Sequence, residues 1–166
     1  MSTDPMDGHD AVTLMGIVFL AAVLAVGLTA YATITLVRTA KGRAQSTPAV
    51  LPRALGATAS LAGAGALAVY AWGALRLLAL DDTERGPACA RAEGPVDASA
   101  IDGYSATYVP LRFGCHAADG TTYAVGVPEY VNPAALTLTI TAAVLAGAAA
   151  AIGSRARGRR PDRVTA

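Results

Sequence analysis

Three stretches of the chain carry no charged side chain: Ala11 to Val37, Ala54 to Leu75, and Tyr130 to Ser154. About 20 apolar residues in helix cross the roughly 30 Å hydrocarbon core of a bilayer, so each stretch predicts a membrane-spanning helix. The first span, 11–37, contains no Pro. Its β-branched residues are poor helix formers in water, but lipid offers unpaired backbone groups no other partner, so helix is favoured. The second span, 54–80, follows Pro52, a residue tolerated in a first helical turn. The third, 133–153, opens on Asn132-Pro133, which reads as a cap and first helical residue.

Between the second and third spans the pattern changes. Residues 81–105 are polar and rich in Gly and Pro, and predict a loop or short helical turn. ATYVPLRFGC (106–115) and TTYAVGVPEYV (121–131) then read as two strands of a hairpin around HAADG, with Asp119-Gly120 as the turn signal. Alternation places Thr107, Val109, Leu111, Phe113 and Cys115 on one face of the first strand, and Tyr123, Val125 and Val127 on one face of the second. Pro110 and Pro128 cannot donate to a ladder, so each strand is expected to be an edge or bulged there. The expected fold class is therefore a mainly α membrane protein: three transmembrane helices with a small extracytoplasmic β-hairpin module, 81–132, between the second and third.

Charge orients this arrangement. The loop 38–53 holds Arg38, Lys41, Arg43 and Arg53 and no acid; the tail 154–166 holds Arg155, Arg157, Arg159, Arg160 and Arg163 against Asp162 alone. The leader 1–10 carries Asp4, Asp7 and Asp10 without a basic residue, and acids outnumber basic residues in 81–132. The positive-inside rule puts the loop 38–53 and the tail in the cytoplasm, and the leader and 81–132 outside. The acidic leader lacks the positive n-region of a signal peptide, so the first span is expected to stay uncleaved. Arg76, near the outer end of the second span, is expected to snorkel toward the interface beside Asp81 and Asp82, with Tyr70 and Trp72 in an aromatic belt.

Composition agrees with a membrane chain: 54% of residues are apolar and 15% charged, against about a quarter charged in soluble domains. No basic stretch is interleaved with aromatics, so nucleic acid is not an expected partner. The lipid bilayer is. Rows of small residues, Gly56/Ser60/Ala64 and Ala59/Gly63 in the second span and Ala143/Gly147/Ala151 in the third, allow close helix approach. They are expected to pack the spans together and also suit a homo-oligomer.

Candidate chemistry is sparse. Cys89 and Cys115 are the only cysteines; on an oxidising exterior they are expected to form a disulfide that braces the hairpin. A metal site from Cys89, Cys115, His116 and Asp119 lacks the usual ligand spacing, and no metal or other cofactor is expected. His116 falls in the expected turn with no identifiable Ser or Cys nucleophile, and no phosphate-cradling loop, HExxH or GxSxG occurs. A non-enzymatic role is expected. Ionisable residues are missing from the middle of the spans, where a proton or ion relay would need them. Their hydroxyls (Thr29, Thr33, Thr35, Thr58, Ser60, Thr137, Thr139 and Thr141) are expected to bond helix carbonyls.

The outer segment CARAEGP…YVPLRFGCHAADGTTYAVGVPEYVNP, set in an Ala/Gly/Arg-rich chain, resembles small integral membrane proteins of high-GC actinobacteria. That group has three spans, one extracytoplasmic loop domain and no assigned activity, and the resemblance implies a cell-membrane location. The functional expectation is a scaffold or accessory subunit presenting the disulfide-braced module to another membrane or envelope protein. Tyr104, Tyr108, Arg112, Phe113, Tyr123 and Tyr130 are the expected partner-binding residues, since Tyr and Arg are favoured at binding hot spots. The competing expectation is a small transporter or channel subunit acting as an oligomer.

Overall fold

The computed structural model of the chain describes residues 11–42, 50–79, 89 and 101–158, with the backbone alone at Ala11, Ile101, Asp102, Tyr104, Ala106 and Arg157. Expectations for the leader, for Arg43, for Asp81 and Asp82 beside Arg76, and for the tail beyond Gly158 lie outside the described residues. The elements are, in order, α1 (Ala11–Lys41), α2 (Val50–Leu78), β1 (Ile101–Tyr108), β2 (Leu111–Ala117), β3 (Thr122–Val125) and α3 (Val131–Gly158).

All three helices are long and apolar enough to cross a membrane, with mean hydropathy of 2.5, 1.4 and 2.0 over their most apolar stretches. α1 buries 11% of that stretch, α2 33% and α3 none. Large apolar side chains accordingly face outward along α1 and α3, among them Phe19, Val26, Leu136 and Val144. Water would penalise that arrangement; hydrocarbon does not. The hydroxyls of Thr29, Thr33, Thr58, Ser60, Thr139 and Thr141 each donate to the carbonyl four residues earlier at 2.7–3.0 Å.

The segment between α2 and α3 departs from the expected hairpin. It is a three-stranded antiparallel sheet in the order β1-β2-β3. The run expected as one strand, 106–115, is folded in two at Val109-Pro110, whose peptide bond is cis. Tyr108 then pairs with Leu111 across the turn. Proline ends β1 because it can offer no N–H to a ladder. β1 also reaches back to Ile101, into the segment expected as loop. The Asp119-Gly120 turn lies where the sequence signals it, with Gly120 at φ 84° and its N–H donating to the Ala117 carbonyl at 2.9 Å.

The chain forms two compact units. One joins the start of α1, the end of α2, the sheet and the first turn of α3. Its core is Leu14 of α1, Ala74 and Leu77 of α2, Cys89, then Leu111, Phe113 and Cys115 of β2, and Val131 of α3. Cys89 and Cys115 are disulfide-bonded, with Cα atoms 6.1 Å apart. β2 and the start of α3 come so close to α2 that a methyl added at Gly73 would lie 2.7 Å from Val131 Cγ1 and 2.8 Å from Leu111 Cδ2. Only glycine fits between them. The Tyr70 hydroxyl of α2 donates to the Tyr108 carbonyl at 2.6 Å.

In the second unit α2 packs through small residues. Leu28 of α1 and Ala142 of α3 close on Gly63, and Leu138 of α3 closes on Gly65. Ala57, Ala59, Ala64 and Ala66 are buried. The matching row of α3 does not pack against the described residues of the other spans: Ala143, Gly147 and Ala151 are exposed, and an added methyl at Gly147 would meet nothing within 4 Å.

Candidate functional site

Alternation along β2 divides the module into two faces. Leu111, Phe113, Cys115 and Ala117 point inward and are buried; Arg112 and His116 point the other way. Phe113, expected among the surface residues, is fully buried against the helix ends. The period of two forbids Arg112 and Phe113 from both facing solvent, and the core claims the larger apolar side chain. Val109, expected on the same face as Leu111 and Phe113, is 88% exposed because the proline turn takes it off the strand.

The other expected residues separate by depth. Tyr108 and Tyr123 are half-buried and pack against the core. Arg112 is exposed, and Tyr130 is 57% exposed at the entry to α3. The Tyr104 side chain lies outside the described residues.

Arg112 lies at a recess of about 300 Å³ formed with Leu111, Val125, Val127, Glu129 and Asn132. Its floor is set by an unexpected contact. β3 pairs with β2 only as far as Phe113, and the Asn132 amide takes over beyond it. Asn132 Oδ1 accepts from the Leu111 N–H at 2.9 Å, and Nδ2 donates to the Leu111 carbonyl at 3.0 Å. Asn132 is thus a side-chain continuation of the ladder and not the expected helix cap, since α3 already begins at Val131. Among the described residues neither Arg112 nor Glu129 has an ion-pair partner. Val109 and Tyr130 each stand two positions along the chain from the Leu111–Asn132 pair. The recess thus brings together a cation and a carboxylate that are unpaired among the described residues, with the exposed Val109 and Tyr130 close by in sequence.

The outer face carries a second cluster that the sequence reading missed. His116 lies within β2 and not in the turn, and its Nε2 is 2.8 Å from Ser105 Oγ while Nδ1 is 3.0 Å from Thr122 Oγ1. Gly114 makes room between the flanking strands: a methyl there would lie 2.9 Å from both Ser105 Oγ and Thr122 Cγ2. A Ser–His pair is the first part of a nucleophilic dyad, but here a hydroxyl stands where a carboxylate would steady the imidazolium. The nearby carboxylate in sequence, Asp119, is engaged in the turn. Its Oδ1 accepts from the Thr121 hydroxyl at 2.6 Å and the Thr121 N–H at 2.9 Å, which hold its pKa below the usual carboxylate value. The three-residue cluster orders the strands across the open face. At the helix end, Arg76 stacks on the Trp72 ring, 4.7 Å from its centroid. Among the described residues no group of His, Cys, Asp and Glu could hold a metal ion.

No protein-family model matches the chain, and no curated protein or solved structure matches it. None of these comparisons supports the actinobacterial resemblance.

Proposed function

We propose that the chain is a multi-pass protein of the cell membrane, N-terminus outside and C-terminus cytoplasmic, that presents its extracytoplasmic sheet module to another membrane or envelope protein. One observation carries this reading: the inward face of the sheet is sealed on the helix ends, while Arg112 and Glu129 line an open recess without an ion-pair partner among the described residues, and Val109 and Tyr130 are exposed close to it in sequence. Opposite charges flanking apolar anchors suit a protein surface, where the pair fixes register and the anchors supply burial. The competing reading, a small transporter or channel subunit, draws on the span hydroxyls. Their bonds within their own helices favour a packing role instead.

A photo-cross-linking amino acid placed at Tyr130 or Val109 in native membranes tests the proposal. Capture of one discrete protein, lost when Arg112 and Glu129 are both changed to Ala, is the expected result. Lipid adducts alone, or solute flux through liposomes holding only the purified chain, would overturn it.

A further inference from the structure

The end of α1 and the start of α2 enclose a recess of about 390 Å³ lined by Tyr31, Thr35, Arg38, Thr39, Val50 and Arg53. That volume is within the range of about 300–1,000 Å³ typical of small-ligand sites. Both arginines sit at the margins of the uncharged runs. Arg38 directly follows Val37, where the first run stops, and Arg53 directly precedes Ala54, where the second begins. In a chain that spans the bilayer, both guanidinium groups stand at headgroup depth.

Neither helix supplies a counter-charge: the sequence from Ala11 through Leu80 contains no Asp or Glu. The wall also offers hydroxyls. Thr39 donates to the Thr35 carbonyl at 2.8 Å, but the Thr35 hydroxyl, unlike those of Thr29 and Thr33, has no partner among the described residues. The first N–H groups of α2 add their positive end at Val50, and Arg38 and Lys41 offset the negative end of α1. Two planar forks with five N–H donors each, beside the Thr35 hydroxyl, match the oxygens of a phosphate.

We propose that this recess binds the phosphate of an anionic lipid headgroup. The apolar helix faces that lead up to it favour the lipid over a free anion, because an acyl chain can lie along them while the phosphate occupies the recess. The site is independent of the protein-docking edge and survives if that reading fails.

Native mass spectrometry of the full chain in detergent, titrated with phosphatidylglycerol or phosphatidylcholine, tests this. One retained phosphatidylglycerol per chain is expected, with weaker retention of phosphatidylcholine. Arg38→Gln and Arg53→Gln should each weaken retention about fivefold, the fold-change for about 1 kcal/mol per basic residue near an anionic surface. Thr35→Val should weaken it without altering charge, and Arg155→Gln, in the last turns of α3 and outside the recess, should leave it unchanged. Helical circular dichroism of each variant checks folding, and Arg38→Lys with Arg53→Lys keeps the charge should the Gln variants misfold; loss of selectivity in that folded pair also supports the site. Equal retention by the folded double Gln variant, or an equal loss in Arg155→Gln, would overturn the proposal. Displacement of phosphatidylglycerol by equimolar inorganic phosphate would overturn the lipid assignment and leave a free-anion site.

Discussion

Phe113→Ala separates a core residue from a surface one in the same strand. Phe113 has no exposed surface and lies in the cluster with Leu14, Leu77, Leu111 and Val131. Removing a fully buried Phe costs about 3–5 kcal/mol, part transfer free energy and part cavity. The surroundings cannot collapse freely, because the disulfide pins Cys115 two residues away and Gly73 already lies against Leu111. Arg112→Ala, on the opposite face, should fall within about 0.5 kcal/mol of the parent. Amide hydrogen exchange of the full chain in detergent reads both. A loss of 3 kcal/mol raises sheet opening about 150-fold, whereas 0.5 kcal/mol changes it about twofold. The expected result is rapid exchange across β1–β3 in Phe113→Ala while the helix centres stay protected. A twofold or smaller change in Phe113→Ala would refute the inward assignment of β2 and everything built on its alternation.

Replacing both Cys89 and Cys115 with Ala opens a loop of sequence separation 26 and should destabilise the module by about 3–4 kcal/mol, read by the same exchange measurement. Asn132→Ala strips the Leu111 N–H and carbonyl of their partner and should cost about 1–3 kcal/mol; unchanged exchange at the Leu111 amide would contradict the ladder role. Asp119 has a depressed pKa in the folded chain, so its contribution is complete above the unfolded value near 3.8 and is lost as pH falls through the lower folded value. Protection of the Thr121 amide should therefore hold down to about pH 4 and fall below it. Asp119→Asn should remove that acid step.

The helices were legible because their signal is additive: each residue of an uncharged run adds to one conclusion, and errors of a few residues at the ends leave it intact. The sheet was not, because its boundaries rest on single residues. Across 106–115 the alternation reads as unbroken, and only Pro110 marks that the chain reverses there. A single strand over 106–115 leaves no β1 starting at Ile101, and without β1 nothing brings Ser105 to His116, eleven positions away. The register Gly103↔His116 and Ser105↔Gly114 creates that neighbourhood. Small-residue rows were ambiguous for another reason. Gly63 and Gly147 belong to the same motif, yet one is enclosed by Leu28 and Ala142 and the other meets nothing. A glycine permits close approach; it does not say what approaches.

The inward face of the sheet explains why so small a module can fold at all. Three short strands expose more backbone than their own side chains can cover. Here the core is completed from outside the sheet: Leu14 comes from α1, Ala74 and Leu77 from α2, and Val131 from α3. Two polar ties run the same way, Tyr70 to the Tyr108 carbonyl and Asn132 to both backbone groups of Leu111. The flanks of the proline turn are thus fastened to two different helices, one on each strand. A partner that grips Val109 or Arg112 therefore pulls through Tyr108 on α2 and through Leu111 on α3. That coupling follows from where the core was found, not from any feature of the partner. It ties the sheet to the ends of three helices within its unit, as the proposed docking role requires.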